Sequence, residues 1–171
     1  MPDLWQSKIV GHDRVAPDQL VAHPMNFRRH PARQREALRG AIAEVGFVRS
    51  VTVNKQTGNI VDGHARVVEA IETGQPTIDV EYVDLTPAEE AMALATFDAI
   101  GQLATVDAGS LDALLKDVRA TSDVLQSMIN DVATDAGLDP PDFQPASEDA
   151  QSRLDRKASV VCPECKHEFT P

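Results

Sequence analysis

The chain has 171 residues, of which 42% are hydrophobic and 4% aromatic, and its formal net charge is −11. This is room for one domain with an aliphatic core, or one domain and a tail. A membrane-spanning helix is excluded because no apolar stretch reaches about 18 residues, and scarce aromatics argue against a stacking platform for single-stranded nucleic acid. No basic segment followed by an apolar run opens the chain, so a cytoplasmic protein is expected.

The charge is unevenly distributed along the chain. Residues 1–66 carry ten Lys/Arg against six Asp/Glu, a net charge of +4. Residues 67–150 carry two against eighteen, a net charge of −16, and residues 151–171 have a net charge of +1. A strongly acidic protein repels nucleic acid at long range. Phosphate chemistry is therefore expected in the N-terminal third, and the acidic part is interpreted as solvated helix faces.

The first predicted elements surround a basic loop. Residues 1–13 are expected to be a lead-in, and the apolar spacing over 15–21 predicts a short strand. The residues at 24–30 then predict a polar, basic loop. A helix is predicted over 32–45, because apolar residues recur there at helical spacing and Gly46 is a natural stop.

Two strands and a turn precede a second helix. The alternation over 48–54 and the apolar residues at 59–61 predict a hairpin. Gly63 stands between this hairpin and an apolar-periodic stretch that ends near Gly74, which indicates a strand–turn–helix unit. Residues 77–83 predict a further strand.

The remainder is predicted to be helical and then irregular. Three helices are expected between residues 86 and 137, the first with a capping box formed by Thr86 and Glu89. A stretch rich in Pro, Asp and Ser follows and is typical of a linker. The predicted fold class is α+β, with five segments: a lead-in at 1–13, a small mixed sheet with flanking helices at 14–85, a helical extension at 86–137, a linker at 138–158 and a C-terminal element at 159–171.

The turn at Gly63 has the composition of a phosphate site. Glycine permits close approach of a ligand to the backbone, and the helix that follows opens with free N–H groups and the positive end of its dipole. His64 and Arg66 add a titratable donor and a fixed cation. Beside them, Asp62 is a candidate Mg²⁺ ligand through water, or a helix cap. The alternative is a plain turn in which Arg66 pairs with Asp62 or Glu69.

The order of these motifs resembles the ParB/sulfiredoxin-like N-terminal domain over about half of the chain. Loop, helix end, strand, turn and second strand all match in sequence. The matching segments are Asn26-Phe27-Arg28-Arg29-His30, Ala41-Ile42-Ala43-Glu44-Val45-Gly46-Phe47, Val51-Thr52-Val53, Ile60-Val61-Asp62-Gly63-His64-Ala65-Arg66 and Gly74-Gln75-Pro76-Thr77-Ile78-Asp79-Val80.

The resemblance implies a nucleotide site. In the family, the turn equivalent to Gly63, His64 and Arg66 grips phosphates, and the loop with Asn26 and Arg28 forms a second wall. Arg29 is a further candidate in that loop. The implied cofactors are ATP or CTP with Mg²⁺. Family members bind or hydrolyse these nucleotides, phosphorylate a small molecule, reduce a sulfinic acid or are described as nucleases.

The closest match is a branch found in phages and mobile elements, often beside DNA methyltransferases. The partners implied are therefore a nucleotide, DNA, and a DNA methyltransferase or phage protein, with homodimerisation as a further option and no membrane. Two departures matter. His64-Ala65 replaces the Glu-Arg of chromosome-partition ParB, and no cysteine precedes His64 as it does in sulfiredoxin. A CTP clamp and sulfinic acid reduction are accordingly not expected.

Catalysis of phosphoryl transfer needs a base and a metal ion. Glu36 lies on the helix that should flank the site and is a candidate base if it faces inward, as is His64 near neutral pH. Asp62 completes the catalytic candidates. The alternative for Glu36, and for Glu44 on the same helix, is a solvated helix face.

The C-terminal element contains Cys162 and Cys165, three residues apart, with His167 nearby. This is half of a zinc ribbon, since a structural zinc site needs four ligands. Three interpretations stay open: zinc completed by another chain, no metal, or a redox pair.

Three functions are therefore compared. The first is an enzyme that hydrolyses nucleotides, transfers phosphate or cleaves nucleic acid. The second is a nucleotide-sensing or adaptor module that works with a DNA methyltransferase or the packaging machinery of a phage. The third is binding of a DNA backbone by a basic patch. That patch comprises Arg28, Arg29, Arg33, Arg35 and Arg39.

Overall fold

The computed structural model describes residues 5–139 and, beyond them, the backbone of two short strands. Four strands form one mixed sheet in the order β1-β4-β2-β3. β2 and β4 run parallel, while the β1–β4 and β2–β3 pairs are antiparallel. The mixed sheet with flanking helices confirms the predicted α+β class. The strands are β1 (Ile9–Val15), β2 (Val51–Asn54), β3 (Ile60–Asp62) and β4 (Ile78–Val83).

Five helices accompany the sheet within residues 5–139. The first has the bounds that the sequence predicts, and the third begins with the predicted capping box, in which Thr86 and Glu89 exchange hydrogen bonds. Each of these helices is too short or too polar to cross a bilayer. The helices are α1 (Ala32–Val45), α2 (His64–Glu72), α3 (Pro87–Gln102), α4 (Ala108–Leu115) and α5 (Asp123–Asp135).

The strand predicted over 15–21 is wrong. Pro17–Gln19 is a 3₁₀ turn, because proline has no N–H for a strand ladder and its fixed φ suits a helical first turn. Val21 makes only an isolated bridge with Asn59. The strand that the chain does form, β1, lies earlier and begins inside the expected lead-in. It pairs antiparallel with β4 at the edge of the sheet, and its mostly exposed residues carry no alternating pattern.

The core lies between the sheet and α2. Val51, Ile60 and Val80 are almost completely buried on the strands, and Val67 and Ala70 pack onto them from α2. Burial of aliphatic side chains is the main stabilising term for such a layer. The core thus fixes β3 and the start of α2 relative to each other.

α1 is held on one side by α5. The carboxylate of Glu44 accepts hydrogen bonds from the backbone N–H groups of Thr121 and Ser122 and from the Thr121 hydroxyl. The Ser122 and Thr121 bonds hold the pKa of Glu44 below its ordinary value. Ser122 is also the N-cap of α5. Glu44 therefore joins α1 to the loop before α5.

The C-terminal strands, β5 (Val160–Val161) and β6 (Glu168–Phe169), pair antiparallel. Cys162, Cys165 and His167 lie outside the described residues, so the zinc prediction stays a prediction.

Candidate phosphate-binding cleft

A cleft of about 350 Å³ lies between α1 and the start of α2. Gln34, Arg35 and Leu38 line it from α1, and Asp98 of α3 and Met128 of α5 complete the far wall. The wall opposite α1 is the predicted turn. That wall consists of Asp62, Gly63, His64, Ala65 and Arg66, with Arg49 beside them.

Gly63 is required by its backbone conformation and by its neighbours. Its φ of 102° lies in the left-handed region, which residues other than glycine rarely adopt. A Cβ built there would lie 2.9 Å from Arg66 Nη2 and 3.2 Å from Val51 Cα. The turn therefore brings backbone close to the cleft with no side chain between them.

The N-terminus of α2 opens at this turn. The first N–H groups of a helix have no partner within the helix, and no side chain caps those of α2. They carry the positive end of the helix dipole. Asp62, the alternative cap, does not bond to them but to a guanidinium. The amides at the start of α2 thus stay available to an anion.

Two arginines meet one carboxylate at this end of the cleft. Arg66 Nη2 donates to Asp62 Oδ2 at 2.9 Å and to the Ser50 carbonyl oxygen at 3.2 Å. Arg49 Nη2 lies 3.4 Å from the same Asp62 oxygen. The Arg66 side chain is only 13% exposed, whereas that of Arg49 is 71% exposed. The Arg66 guanidinium is thus held in place by its hydrogen bonds, whereas the Arg49 guanidinium is accessible to a ligand from solvent.

His64 is buried at the cleft wall. Its Nε2 accepts a hydrogen bond of 3.2 Å from the backbone N–H of His23. Burial lowers the pKa of His64, and the nearby imidazole of His23 lowers it further, against the opposing effect of Asp62. His64 is therefore a neutral imidazole at neutral pH.

The other predicted residues do not line this cleft, although Arg28 is close enough to His64 to lower the pKa of its ring. Arg28 is tied to α3 by Asp98 Oδ2 at 2.7 Å and by the Leu94 carbonyl oxygen. Asn26 accepts from the Arg28 backbone N–H and so shapes its own loop. Arg29 and Glu36 are exposed. Glu36 lies on the side of α1 turned away from the cleft. Successive residues of a helix are rotated by about 100°, so that residues 34, 35 and 38 face the cleft and residue 36 does not.

Arg49 and Gln34 are cleft residues that the sequence did not reveal. Arg49 precedes β2, and only the pairing of β2 with β3 brings it beside Asp62. Gln34 is bonded to His30 Nδ1 through Oε1 at 3.1 Å, and both line the cleft. The one sequence signal for Gln34 is its spacing of four from His30, which brings the two side chains together at the start of α1.

Most of the predicted DNA patch is internally neutralised. Arg35 and Arg39 of α1 bind Glu69 of α2, and both also bind Glu72. Arg33 binds Asp131 of α5. Arg28 is paired with Asp98, as above. Within residues 5–139, Arg29 has no such ion pair, so it is the one member of the patch without a carboxylate partner there.

The described residues offer little to a metal ion. Among them, no group of three or more His, Cys, Asp or Glu side chains could hold one. Asp62, the candidate for Mg²⁺, is engaged by two guanidinium groups. The described residues of the cleft therefore do not fit a protein-held Mg²⁺.

No protein-family model matches the chain, and no curated protein does. Solved structures do match it, and two of them are ParB structures. One is the C-terminally truncated chromosome-partitioning protein ParB from Caulobacter crescentus complexed with CTP-gamma-S, with 22% identity and a TM-score of 0.48 over 62% of this chain and 63% of that one. The other is a Pnob8-like ParB-N domain, with 12% identity and a TM-score of 0.44 over 96% and 59%. This chain thus spans about three fifths of the length of each.

Proposed function

We propose that this chain is a ParB-like domain that binds the phosphate groups of a nucleotide, ATP or CTP, in the cleft at the start of α2. The observation that carries the proposal is convergence: uncapped helix amides, a fixed guanidinium, an accessible guanidinium and an imidazole line one cleft. Its volume lies at the lower end of the range for small-molecule sites.

The charges of the cleft favour an anion locally although the protein is acidic. Of the three arginines that line it, Arg35 is already paired with Glu69 and Glu72, so Arg49 and Arg66 supply the positive charge beside Asp62. Charges within a few ångströms act more strongly than the distant acidic faces, which salt screens beyond about 10 Å. A phosphate oxygen at the α2 amides would therefore meet donors and cations first.

A small phosphate ligand fits the structure better than a DNA backbone. Backbone binding depends on cations that release counterions when they meet phosphates. Four of the five patch arginines are already paired with carboxylates inside the protein. DNA binding, homodimerisation and partnership with a DNA methyltransferase or phage protein remain predictions of the sequence resemblance.

Calorimetry with ATP, CTP and pyrophosphate, with and without Mg²⁺, tests the proposal. Arg49→Ala removes the accessible cation, and loss of one charge-assisted contact should weaken binding about tenfold. Arg14→Ala is the matched control, because Arg14 is 70% exposed and paired with Asp79 at 2.9 Å but lies outside the cleft. Equal affinity of the wild type and Arg49→Ala, or no binding by the wild type, contradicts the proposal.

Turnover separates an enzyme from a binding module. Release of phosphate from labelled ATP or CTP is measured in the same samples, with Asp62→Ala and Glu36→Ala beside the wild type. Binding without release identifies a nucleotide-sensing or adaptor module. Release that Glu36→Ala abolishes would contradict the position of Glu36 outside the cleft.

A further inference from the structure

The turn at residues 23–25 is built around two imidazoles that act as hydrogen-bond acceptors. The backbone N–H of His23 donates to His64 Nε2 at 3.2 Å, and the backbone N–H of Met25 donates to His23 Nδ1 at 3.0 Å. Both histidines are buried. A ring nitrogen that accepts cannot carry a proton, so each contact assigns the tautomer of its ring.

A buried carboxylate of α3 lies beside the His23 ring. With Nδ1 accepting, the ring proton lies on Nε2, which is 3.7 Å from Glu90 Oε1. The same carboxylate oxygen accepts from the Thr57 hydroxyl at 2.7 Å, and Glu90 is buried. The Met25 N–H thus holds one ring nitrogen of His23, and the Glu90 carboxylate lies beside the other.

His64 has one ring nitrogen left for a ligand. It lines the cleft, its Nε2 accepts from the His23 backbone N–H, and no described residue forms a hydrogen bond with its Nδ1. We propose that His23 is a positioning residue, an inference that rests on the proposed phosphate site. Its backbone N–H holds His64 in the Nδ1–H tautomer. The cleft then presents the Nδ1–H of His64 as a donor to an oxygen of the ligand.

The groups around His64 agree with a neutral donor. Burial is the main cause that lowers the pKa of His64. The nearby charges of His23, Arg28 and His30 lower it further, and Asp62 acts in the opposite direction. Because the folded pKa lies below the ordinary 6.5, stability from the neutral ring is present above that pH and is lost as pH falls below it. Protonation of His64 would place a hydrogen on Nε2, facing the His23 N–H, and would break the hydrogen bond between them. Exchange of the His23 amide should accordingly accelerate in acid relative to that of Val80 in the core.

Nitrogen-15 NMR of the histidine-labelled full chain reads the tautomer directly. At neutral pH, His64 should show a protonated Nδ1 and an unprotonated Nε2. His23→Ala removes the acceptor for Met25 and should give His64 mixed tautomers, with about tenfold weaker pyrophosphate binding. His23→Asn should restore the tautomer, because the asparagine oxygen accepts from the N–H two residues on.

Two substitutions of His64 test the donor independently. The amide of asparagine occupies the place of Nδ1 and that of glutamine the place of Nε2. Both variants should weaken pyrophosphate binding, His64→Gln about tenfold more than His64→Asn. An Nε2–H tautomer in the wild type, an unchanged tautomer in His23→Ala, or the reverse order of the His64 variants would overturn the inference. A wild type that binds no pyrophosphate but shows the Nδ1–H tautomer would instead overturn the proposed function alone.

Discussion

Two carboxylates of this protein, Asp62 and Glu69, each accept two arginines, but their surroundings differ. The Glu69 side chain is 3% exposed, and its partners Arg35 and Arg39 come from another helix. The Asp62 side chain is 22% exposed and lies at a cleft. A buried carboxylate that loses its partners is costly, whereas an exposed one is solvated by water. The Glu69 cluster therefore holds α1 against α2, and the Asp62 cluster holds cations at the proposed phosphate site.

The largest expected effect follows from Glu69→Gln. This change leaves Arg35 and Arg39 without their buried partner, and loss of one member of a buried ion pair costs about 3 kcal/mol when the other members are partly exposed. Urea unfolding of the wild type and the variant measures the difference. A loss below about 1 kcal/mol would contradict the structural role of this cluster.

Acid should remove the same contribution reversibly. Burial acts to raise the pKa of Glu69, but hydrogen bonds from Arg35 and Arg39 keep it below its ordinary 4.5. A lowered carboxylate pKa stabilises the fold above the unfolded value and loses that effect as pH falls through the folded value. The stability difference between wild type and Glu69→Gln should therefore shrink as the pH is lowered through the acid range below the ordinary 4.5. A difference that stays constant would show that Glu69 is not the titrating group.

At the cleft, Asp62→Asn should strengthen pyrophosphate binding. It removes the negative charge that Arg49 and Arg66 now face, and about 1 kcal/mol of relieved repulsion corresponds to about fivefold tighter binding. Asp79→Asn is the control, since Asp79 pairs with Arg14 outside the cleft and should leave the affinity unchanged. Weaker binding by Asp62→Asn would mean that Asp62 contributes to the ligand site as more than a holder of arginines.

The smallest effect is expected from Glu72→Gln. Glu72 bonds the same two arginines as Glu69 but is 47% exposed. Exposed ion pairs contribute about 0.5 kcal/mol, and salt screens them. Urea unfolding at low and high salt should show a small loss that disappears in salt. A loss equal to that of Glu69→Gln would show that burial is not what distinguishes the two carboxylates.

Local chemistry made much of the fold predictable. Proline before α1 and glycine after it mark the helix ends, and Thr86 with Glu89 marks the start of α3. The left-handed turn at Gly63 was likewise predictable, because it follows a hairpin and precedes a helical pattern. Each of these signals is contained within a few neighbouring residues.

What could not be predicted depends on residues that are distant in sequence. β1 owes its strand to pairing with β4, and its exposed residues show no alternating pattern. Arg49 reaches the cleft because β2 pairs with β3. The pairing of Arg28 with Asp98 of α3 could likewise not be predicted from the loop sequence. The arginine-rich composition of this region was visible in the sequence, and so was Asp62 as a partner for Arg66, but the carboxylates that Arg28 and the arginines of α1 meet were not.

The contacts of Gly63 restrict how this protein can be varied. Its left-handed φ disfavours any side chain, and Val51 and Arg66 leave no space for one. A library with all amino acids at this position should yield glycine almost alone after selection for folding, whereas Gly58, also left-handed but with open space around it, should accept asparagine. The backbone turn at the start of α2 is consequently invariant, so a redesign of the proposed site has to change the residues around Gly63 and not Gly63 itself.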